Sequence, residues 1–595
     1  MSTSDFASNS RDLVLLEKYI DSTFQDRIEK HLLAPGKLGG KTLGLLMAWE
    51  ILKQELPDLT GKSIHIPISY FIGSDEFVRF IAQKKVSDKI NNTGDAAPGE
   101  LEKNFAEAPL SDDLMKNIRI MLEDLGEIPI IVRSSSILED RYGASFAGIY
   151  RSIFCLNQGN EAERLQQIAM AVKQVYASAF SINAVNYRKQ KGLELITEEM
   201  AILIQVVEGR IYDELYFPVV SGIAFSENPY CWTDRLDPKD GFLRMVWGLG
   251  TQAVQTSPGN YPRLIGLTNP RLRPEQTASD LFHYSQHNFD ALNLNNGTLE
   301  TLPVLSFLNK AYPGVSSVAS ILGPEGLQRV RSRLDSQDQL VITFDQMIEQ
   351  TRLIEIMTRG LNVLADKIGG LINIEFSVDM NSDDTIDIGL LQCRKLAWET
   401  ASEGPGQEPD EAEVILRTRR FLYAGEKHDI EYVVFIDPDV YNRNFSFQQQ
   451  QEVAAIIGTL NQKIGEKGYL LAGPGRWGSV RPDLGVPVKF SDISHAKALL
   501  EIHQSQEDLF SATYGTHFFL DLVESKIALL AIDGDDVDEK SNLDFFRSPD
   551  NLIEQFVMDM TWNRDGIRVF QVPSSRKINI IASPLQRVAF MFLGE

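Results

Sequence analysis

Residues 371–378, Leu-Ile-Asn-Ile-Glu-Phe-Ser-Val, are followed by the polar stretch MNSDD and then by residues 385–394, Thr-Ile-Asp-Ile-Gly-Leu-Leu-Gln-Cys-Arg. Apolar and polar residues alternate in the first segment, as they do in a strand with one buried face. The polar stretch has nothing to bury and is typical of a loop. The pattern therefore predicts an antiparallel hairpin.

This hairpin would gather a carboxylate, two amides and a guanidinium on one surface. Alternation places Asn373 and Glu375 on one face of the first strand, and Gln392 and Arg394 on one face of the second. Carboxylate and amide oxygens are the hard ligands that Mg²⁺ prefers, and arginine pairs with phosphate. A solvated hairpin surface without a ligand is the alternative, and the hairpin alone does not decide between the two.

Residues 36–42, Gly-Lys-Leu-Gly-Gly-Lys-Thr, precede a second predicted element. Apolar residues recur at spacings of four, three and four before Pro57, which predicts an amphipathic helix that the proline terminates. Gly39 and Gly40 then lie at the helix N-terminus, and Lys41 lies in its first turn. Free backbone N–H groups and an ammonium group suit a phosphate there. Simple helix capping is the alternative, and the spacing is not that of a Walker loop.

A third segment joins a short strand to a glycine-containing loop. Residues Ile128–Val132 predict a strand that ends at Arg133 and three serines, and glycines follow up to Gly148. A guanidinium beside hydroxyls and glycines is typical of an anion-binding loop. An arginine paired with Glu139 or Asp140 at a turn is the alternative.

The composition limits the classes of function. The chain has 595 residues, of which 43% are hydrophobic and 24% charged, so a mostly disordered protein is excluded. Acidic residues outnumber basic ones by 82 to 58, and a net charge of −24 argues against nucleic acid or a membrane surface as a partner. The three cysteines lie far apart, which excludes a disulfide framework and a cysteine-ligated zinc site. No signal-peptide pattern or long apolar run is visible, so we expect a cytoplasmic protein.

Six short blocks stand in a fixed order along residues 36–396. They are GGK at 39–41, VRSSS..ED..GASFAG at 132–148, MAILIQ at 200–205, SGIAFSENP at 221–229, WGLG at 247–250, and INIEF with LLQCRK at 372–395. In this order they resemble the nucleotide-binding domain of the phosphoenolpyruvate synthase and pyruvate phosphate dikinase family. The resemblance implies an α/β (α+β) fold, with an ATP-grasp-like domain of two lobes that hold ATP and Mg²⁺ between them.

The resemblance assigns residues to the nucleotide. Lys41 and Arg133 would hold phosphates of ATP. Gly148 and the nearby Ser152 would lie in the phosphate loop, and Gln205 would lie at the hinge on the adenine side.

It also assigns residues to the metal and to phosphoryl transfer. Glu375 would ligate Mg²⁺ together with Asn373, and Gln392, Arg394 and Arg133 would form the transfer site. The family usually has aspartate at the position of Asn373, so an amide oxygen would ligate the metal here with one charge fewer. An acidic residue that usually follows the WGLG block is also replaced, by Thr251.

Residues 399–413, ETASEGPGQEPDEAE, hold six acids and no base and indicate a linker. We expect a helical extension over residues 1–35, the nucleotide-binding domain over 36–396 with an insertion or irregular subdomain at about 269–338, an acidic linker over 397–413, and an α/β domain of unknown role over 414–595. In this last domain we expect strands at Tyr432–Ile436 and Ile527–Ile532.

The C-terminal region lacks a counterpart of the carrier-histidine segment and of the pyruvate-binding barrel of the family's full-length dikinases. His495 has no preceding glycine pair and begins a segment, SHAKALLEI, that predicts a helix. Gly473–Ser479 predicts either a tight glycine turn or an anion loop that uses Arg476. His517 is either a histidine of the core or a strand edge, or a phosphate acceptor or general base.

Together these features predict an ATP- and Mg²⁺-dependent, kinase-type phosphotransferase whose acceptor is a small molecule, a histidine of a partner protein or an internal side chain. The full dikinase reaction is not expected without the carrier histidine. A non-catalytic ATP-binding sensor or scaffold module is the alternative.

Overall fold

A computed structural model gives the three-dimensional structure of the chain. It describes residues 18–19, 22–84, 86–87, 100–137, 150–181, 184–185, 188, 198–228, 235–237, 239–254, 260–273, 275, 278–308, 312, 314–323, 326–330, 338–381, 383, 385–395, 409–422, 425–478, 485–503, 522, 525–533, 540–557, 566–583 and 586–594. The chain divides into two compact units: Met1–Ser226 with Gly241–Leu267 and Ser285–Ala397, and Glu227–Asp240 with Thr268–Tyr284 and Trp398–Glu595.

The first unit contains most of the described strands. They are β1 Leu32–Ala34, β2 Ile64–His65, β3 Ser69–Ile72, β4 Ile130–Ser136, β5 Ser152–Cys155, β6 Met200–Val206, β7 Arg210–Tyr212, β8 Leu215–Phe217, β9 Val220–Phe225, β10 Phe242–Val246, β11 Arg263–Gly266, β12 Asn288–Asn293, β13 Thr298–Pro303, β14 Ala319–Gly323, β15 Gly326–Arg329, β16 Leu340–Ile342, β17 Ile372–Met380 and β18 Ile386–Lys395.

Its helices lie between these strands. They are α1 Ser22–His31, α2 Gly40–Glu55, α3 Ser74–Ile81, α4 Glu100–Glu107, α5 Asp112–Leu125, α6 Glu161–Ser178, α7 Thr251–Val254, α9 Val304–Leu308, α10 Val315–Val318, α11 Asp345–Gln350 and α12 Leu353–Ile368, while α8 Ala278–His283 belongs to the second unit.

Two sheets form the two lobes of the first unit. The first lobe is built on the sheet β1-β3-β6-β4-β5, and the second on the sheet β11-β10-β9-β17-β18-β2. Helices α3, α5 and α6 cover the first sheet with a core that includes Phe77, Ile118 and Val172. Helices α2 and α12 contribute Leu45 and Leu361 to the core of the second lobe. Two smaller sheets, β13-β12-β8-β7 and β15-β14-β16, complete the unit.

The predicted helix and hairpin are confirmed. Helix α2 begins at Gly40 and ends at Glu55, just before the proline. Strands β17 and β18 pair antiparallel, with Asn373 opposite Arg394 and Glu375 opposite Gln392.

The predicted end of strand β4 was wrong. It continues through Arg133 to Ser136, and the three serines are completely buried. The strand continues because Ser134–Ser136 pair with β6, and because Ser134 and Ser135 find hydrogen-bond partners in helix α2. The serines therefore lie inside the sheet rather than at its exposed end.

The region at 269–338 is more regular than expected. Strands β12 and β13 form a hairpin over residues 288–303, and β12 also pairs with β8. Phe289 from this hairpin packs against Trp247, with ring centroids 4.1 Å apart. Burial of these aromatic side chains explains how a segment without clear periodicity forms ordered structure.

The second unit is also of mixed α/β structure. Its elements are β19 Val414–Thr418, β20 Arg420–Leu422, β21 Gly425–Ile430, β22 Tyr432–Ile436, α13 Pro438–Asn444, α14 Phe447–Ile464, β23 Tyr469–Pro474, β24 Arg476–Trp477, β25 Gly485–Val486, β26 Ala496–His503, β27 Ala528–Asp533, β28 Lys540–Ser541, α15 Asp544–Arg547, β29 Ile567–Gln571, β30 Lys577–Ser583 and β31 Val588–Gly594, with 3₁₀ turns at Gly465–Lys467, Phe490–Asp492 and Ile553–Gln555.

Its larger sheet has the order β20-β27-β26-β23-β22-β29, in which the four central strands are parallel. The strands predicted near β22 and β27 are confirmed. The helix predicted from His495 was wrong, because residues 496–503 form β26 in the middle of this sheet. A central parallel strand is buried on both faces, so its apolar run has no period 2, and tertiary packing overrides the helix preference of alanine and leucine. Among the described residues, no helix is long and apolar enough to cross a membrane.

Candidate nucleotide-binding site

Arg133 joins the two lobes of the first unit. It projects from β4 of the first sheet and is 8% exposed. Its Nη2 donates to Glu375 Oε2 at 2.5 Å and to Gln392 Oε1 at 2.8 Å, both on the second sheet. The alternative partners of Arg133, Glu139 and Asp140, lie outside the described residues. In the described part of the chain, Arg133 forms its ion pair with Glu375. The site is therefore made of side chains from both sheets.

A β-bulge gives the hairpin its polar surface. In β18, Ile386, Ile388 and Leu390 face the core, and strict alternation would send Gln392 to the same face. The register instead passes from Phe376–Leu390 to Glu375–Gln392, which leaves Leu391 as an extra residue. The bulge reverses the alternation and places Gln392 beside Glu375.

The bulged residue also contributes an acceptor that the sequence prediction missed. The carbonyl oxygen of Leu391 accepts from Arg133 Nη1 and from Gln205 Nε2, each at 3.4 Å. Gln205 Oε1 accepts from Arg133 Nη1, also at 3.4 Å. Two adjacent leucines that interrupt the alternation are the signal in the sequence that points to this bulge.

Lys41 lies in the first turn of α2, as predicted, and its ammonium is anchored on β4. Nζ donates to the carbonyl oxygen and to Oγ of Ser134, each at 3.0 Å. The neighbouring Thr42 donates its backbone N–H to Ser135 Oγ at 3.2 Å. These contacts hold the start of the helix, with its orphan N–H groups, against the strand that carries Arg133.

Asn373 and Arg394 form a second polar pair on the hairpin. Arg394 Nε donates to Asn373 Oδ1 at 2.9 Å, and Asn373 is 3% exposed. The amide oxygen expected to ligate Mg²⁺ therefore accepts from a guanidinium in this structure.

Two of the remaining predicted residues, Ser152 and Gln205, lie beside Arg133. Ser152 is exposed and directly opposite Arg133 in the pairing of β4 with β5. Gln205 is 2% exposed, and both ends of its amide contact other groups, so the structure brings it to Arg133. Gly148 lies outside the described residues.

The electrostatics of the site centre on one carboxylate. Burial acts to raise the pKa of Glu375, but the charges of Arg133, Arg394 and Lys41 and the hydrogen bond from Arg133 outweigh it. The pKa of Glu375 therefore lies below its ordinary value, and the carboxylate is ionised at neutral pH. Three cations that converge on one carboxylate form a group suited to a polyphosphate.

The residues present fit Mg²⁺ bound jointly with phosphate. Glu375 offers a carboxylate with a quarter of its side chain exposed, and Asn373 offers an amide oxygen. Within the described part of the chain, no three His, Cys, Asp or Glu side chains are grouped closely enough to hold a metal ion alone. Mg²⁺ commonly binds through one or two carboxylates and takes its other ligands from phosphates and water. A buried donor, Arg133 Nε, has no hydrogen-bond partner among the described residues and suits such an anion.

The other motifs of the C-terminal region carry less chemistry. His495 is exposed in the turn before β26. Gly475 and Gly478 have φ angles of +56° and +77° on either side of the buried Trp477, and the tight glycine turn and the anion loop with Arg476 both stay predictions. His517 lies outside the described residues.

This combination of two sheet-bearing lobes with cationic side chains and an acidic residue between them defines an ATP-grasp-like nucleotide-binding domain. The profile of the pyruvate phosphate dikinase AMP/ATP-binding domain matches residues 36–413. The chain belongs to this family.

Named relatives agree with this. The chain is 30% identical over 226 residues to the uncharacterized phosphotransferase YvkC of Bacillus subtilis, which covers 38% of this chain and 24% of that protein. It is 29% identical over 255 residues to rifampicin phosphotransferase of Streptomyces sviceus, and this match covers 40% of this chain and 26% of that protein. It is 24% identical over 421 residues to phosphoenolpyruvate synthase of Aeropyrum pernix, and this match covers 66% of this chain and 44% of that protein. The matched part thus spans between a quarter and a half of these relatives.

Proposed function

We propose that the first unit binds ATP with Mg²⁺ and transfers a phosphoryl group to an acceptor. The observation that carries this proposal is the ion pair between Arg133 and Glu375, which joins side chains of both lobes, and the charges of Lys41 and Arg394 lower the pKa of the same carboxylate. In phosphoryl transfer the protein mainly positions phosphates and neutralises the charge of the transition state. The site has the groups for that task.

Each residue has a role in this proposal. Lys41 and Arg133 bind phosphate oxygens, and Arg394 with Gln392 binds the phosphoryl group that is transferred. Glu375, assisted by Asn373, holds the metal, which supplies charge neutralisation at the phosphates when bound. Ser152, opposite Arg133, lies at the edge of the phosphate site.

The acceptor is a small molecule or a histidine of a partner protein. The name of the Streptomyces relative, rifampicin phosphotransferase, supports a small molecule. The AMP/ATP-binding family model and the relative named phosphoenolpyruvate synthase support ATP as the nucleotide.

Product analysis tests this proposal. The protein is incubated with ATP and Mg²⁺, with and without candidate acceptors, and the nucleotides are separated by ion-exchange chromatography. AMP with phosphate or pyrophosphate indicates dikinase-type chemistry, and ADP indicates a simple kinase. A Glu375→Gln variant is the matched control, because it keeps the size of the side chain and removes its charge. Equal turnover in both proteins would contradict the proposed site.

A non-catalytic ATP sensor is the second candidate, and one observation favours it. Asn373 replaces the family's usual aspartate, and its amide oxygen accepts from Arg394 at 2.9 Å. Nucleotide binding measured by calorimetry, without any product, would support the sensor.

A further inference from the structure

The guanidinium of Arg133 is held by acceptors from three strands. Both terminal nitrogens have protein partners: Nη2 contacts Glu375 and Gln392, and Nη1 contacts Gln205 and the Leu391 carbonyl. The ion pair with Glu375 is largely shielded, since the side chains are 10% and 25% exposed. Such a charge-assisted pair is stronger than one on the surface.

One donor of the same guanidinium is left over. The Nε–H of Arg133 is buried without a partner among the described residues. A buried charged donor without an acceptor is unfavourable, and an anion that reaches it removes that cost. Arg133 therefore has one face satisfied by protein and one donor suited to a phosphate.

Glu375 meets two competing demands. In this structure its Oε2 accepts from Arg133, and the proposed function requires the same carboxylate to ligate Mg²⁺. A divalent cation and a guanidinium repel each other across one carboxylate. A metal ion that arrives alone at this carboxylate therefore competes with Arg133 for its negative charge and weakens the ion pair.

We propose that Arg133 is the built-in counter-cation of Glu375, so that the site takes a divalent metal only together with a phosphate ligand. The phosphate gives Arg133 a replacement acceptor, and this releases Glu375 to the metal. The proposal rests on the function proposed above and adds an order of binding to it.

Gln205 is the positioning residue for this arrangement. Its Oε1 accepts from Arg133 Nη1, and its Nε2 donates to the Leu391 carbonyl. At 2% exposure, it holds the guanidinium toward Glu375. This role differs from the contact on the adenine side that the family resemblance implies.

Metal binding without nucleotide tests the proposal directly. Free Mn²⁺ is measured by electron paramagnetic resonance during titration of the protein at pH 8, where Glu375 is ionised. We expect Arg133→Gln to bind Mn²⁺ about ten- to a hundredfold more tightly than the wild type, because the competing cation is gone. The gain should disappear in the double variant Arg133→Gln/Glu375→Gln.

Arg359→Gln is the matched control. Arg359 is also an ion-paired arginine, bound to Asp58 at 2.8 and 3.0 Å, but it lies on the exposed side of α12. Its variant should bind Mn²⁺ like the wild type. Circular dichroism shows whether each variant is folded.

The variant Gln205→Met tests the same proposal if Arg133→Gln does not fold. Loss of the long, 3.4 Å hydrogen bond between Arg133 and Gln205 should tighten Mn²⁺ binding without nucleotide by about two- to fivefold. The proposal is overturned if Arg133→Gln folds and binds Mn²⁺ no more tightly than the wild type. If that variant does not fold, the same result with folded Gln205→Met overturns it. It is also overturned if the gain in Mn²⁺ affinity survives the removal of Glu375.

A separate titration distinguishes this failure from failure of the proposed function. The wild type is titrated with a non-hydrolysable ATP analogue in the presence of Mn²⁺. If the analogue binds but Arg133→Gln shows no gain, only the order of binding is wrong. If the analogue does not bind the wild type, the nucleotide site itself is wrong, and the inference falls with it.

Discussion

Gly39 lies so close to Ser135 that a Cβ atom at residue 39 would be 1.6 Å from the Ser135 carbonyl oxygen. No side chain can be accommodated at that distance. The obstacle is a backbone carbonyl, which cannot rotate away as the end of a flexible side chain can. The absence of a side chain at Gly39 therefore lets helix α2 start directly against strand β4. This contact brings Lys41 to the strand that carries Arg133.

We predict that Gly39→Ala separates α2 from β4. Forced overpacking of this kind typically costs about 1–3 kcal/mol, and nucleotide affinity should fall because Lys41 moves. Gly360→Ala, in α12, is the matched control, since no atom outside its own helix backbone lies within 4 Å of its Cβ position and the residue borders a small apolar cavity. It should stabilise the protein by about 0.5–1 kcal/mol. Urea unfolding of both variants checks the two signs, and equal effects would contradict the packing argument.

Lys41→Ala and Arg394→Ala should each weaken ATP binding or abolish turnover without unfolding the protein. Loss of a charge-assisted contact to phosphate costs about 1.5–3 kcal/mol, or roughly ten- to a hundredfold in affinity. Calorimetric titration with a non-hydrolysable analogue measures this. Lys62→Ala, at an exposed lysine in a turn, is the control for loss of a positive charge. Unchanged affinity and activity in both site variants would remove them from the site.

Asn373→Asp should lower the Mg²⁺ concentration needed for half-maximal turnover. A second carboxylate next to Glu375 adds negative charge at the proposed metal. Arg394 competes for that charge, because its Nε lies 2.9 Å from Asn373 Oδ1. Mg²⁺ titrations of turnover in both proteins measure the shift. Superimposable curves would show that residue 373 is not a ligand, whereas activity that appears only in the variant would favour the sensor for the wild type.

His65 links the stability of the second lobe to pH. Its ring nitrogens contact Glu208 at 3.2 Å and Asp387 at 2.8 Å. The hydrogen bond to Glu208 and the charges of both acids outweigh partial burial and raise the pKa of His65 to about 9. Because the folded pKa is the higher one, the stabilisation is complete below about pH 6.5 and is lost as the pH rises through about 9.

The expected size of this effect is about 1–2 kcal/mol after allowance for solvent screening of a partly exposed group. Urea unfolding at pH 6 and pH 10 measures it in the wild type and in His65→Gln. The difference in unfolding free energy between the two proteins should shrink from pH 6 to pH 10. A difference that is independent of pH would show that the imidazolium does not contribute.

The hairpin and the first helix were predictable because local patterns determine them. Residues 372–380 alternate, and Pro57 stops α2 where the apolar spacing ends. Local pattern also brought Glu375, Gln392 and Arg394 to one element. What joins them to Arg133 is a contact between strands 242 residues apart in the chain, which no local pattern encodes.

Two failures have a common physical cause. The local preferences of the residues predict a loop at the serines after Arg133 and a helix from His495, and both predictions were wrong. In the structure, Ser135 is bonded to Thr42 of α2, and β26 lies between two parallel neighbours. Partners distant in sequence decide such cases, and the sequence pattern does not contain them.

The extra residue at 391 determines which face each later side chain of β18 takes. If β18 paired with β17 without this bulge, every position after Leu390 would exchange its inner and outer faces. Cys393 would turn outward, while the glutamine and the arginine would turn into the hydrocarbon core. Deletion of Leu391 would remove the need for the bulge, so the glutamine and the arginine would keep the polar face, and the loss would be the carbonyl acceptor of Arg133 and Gln205.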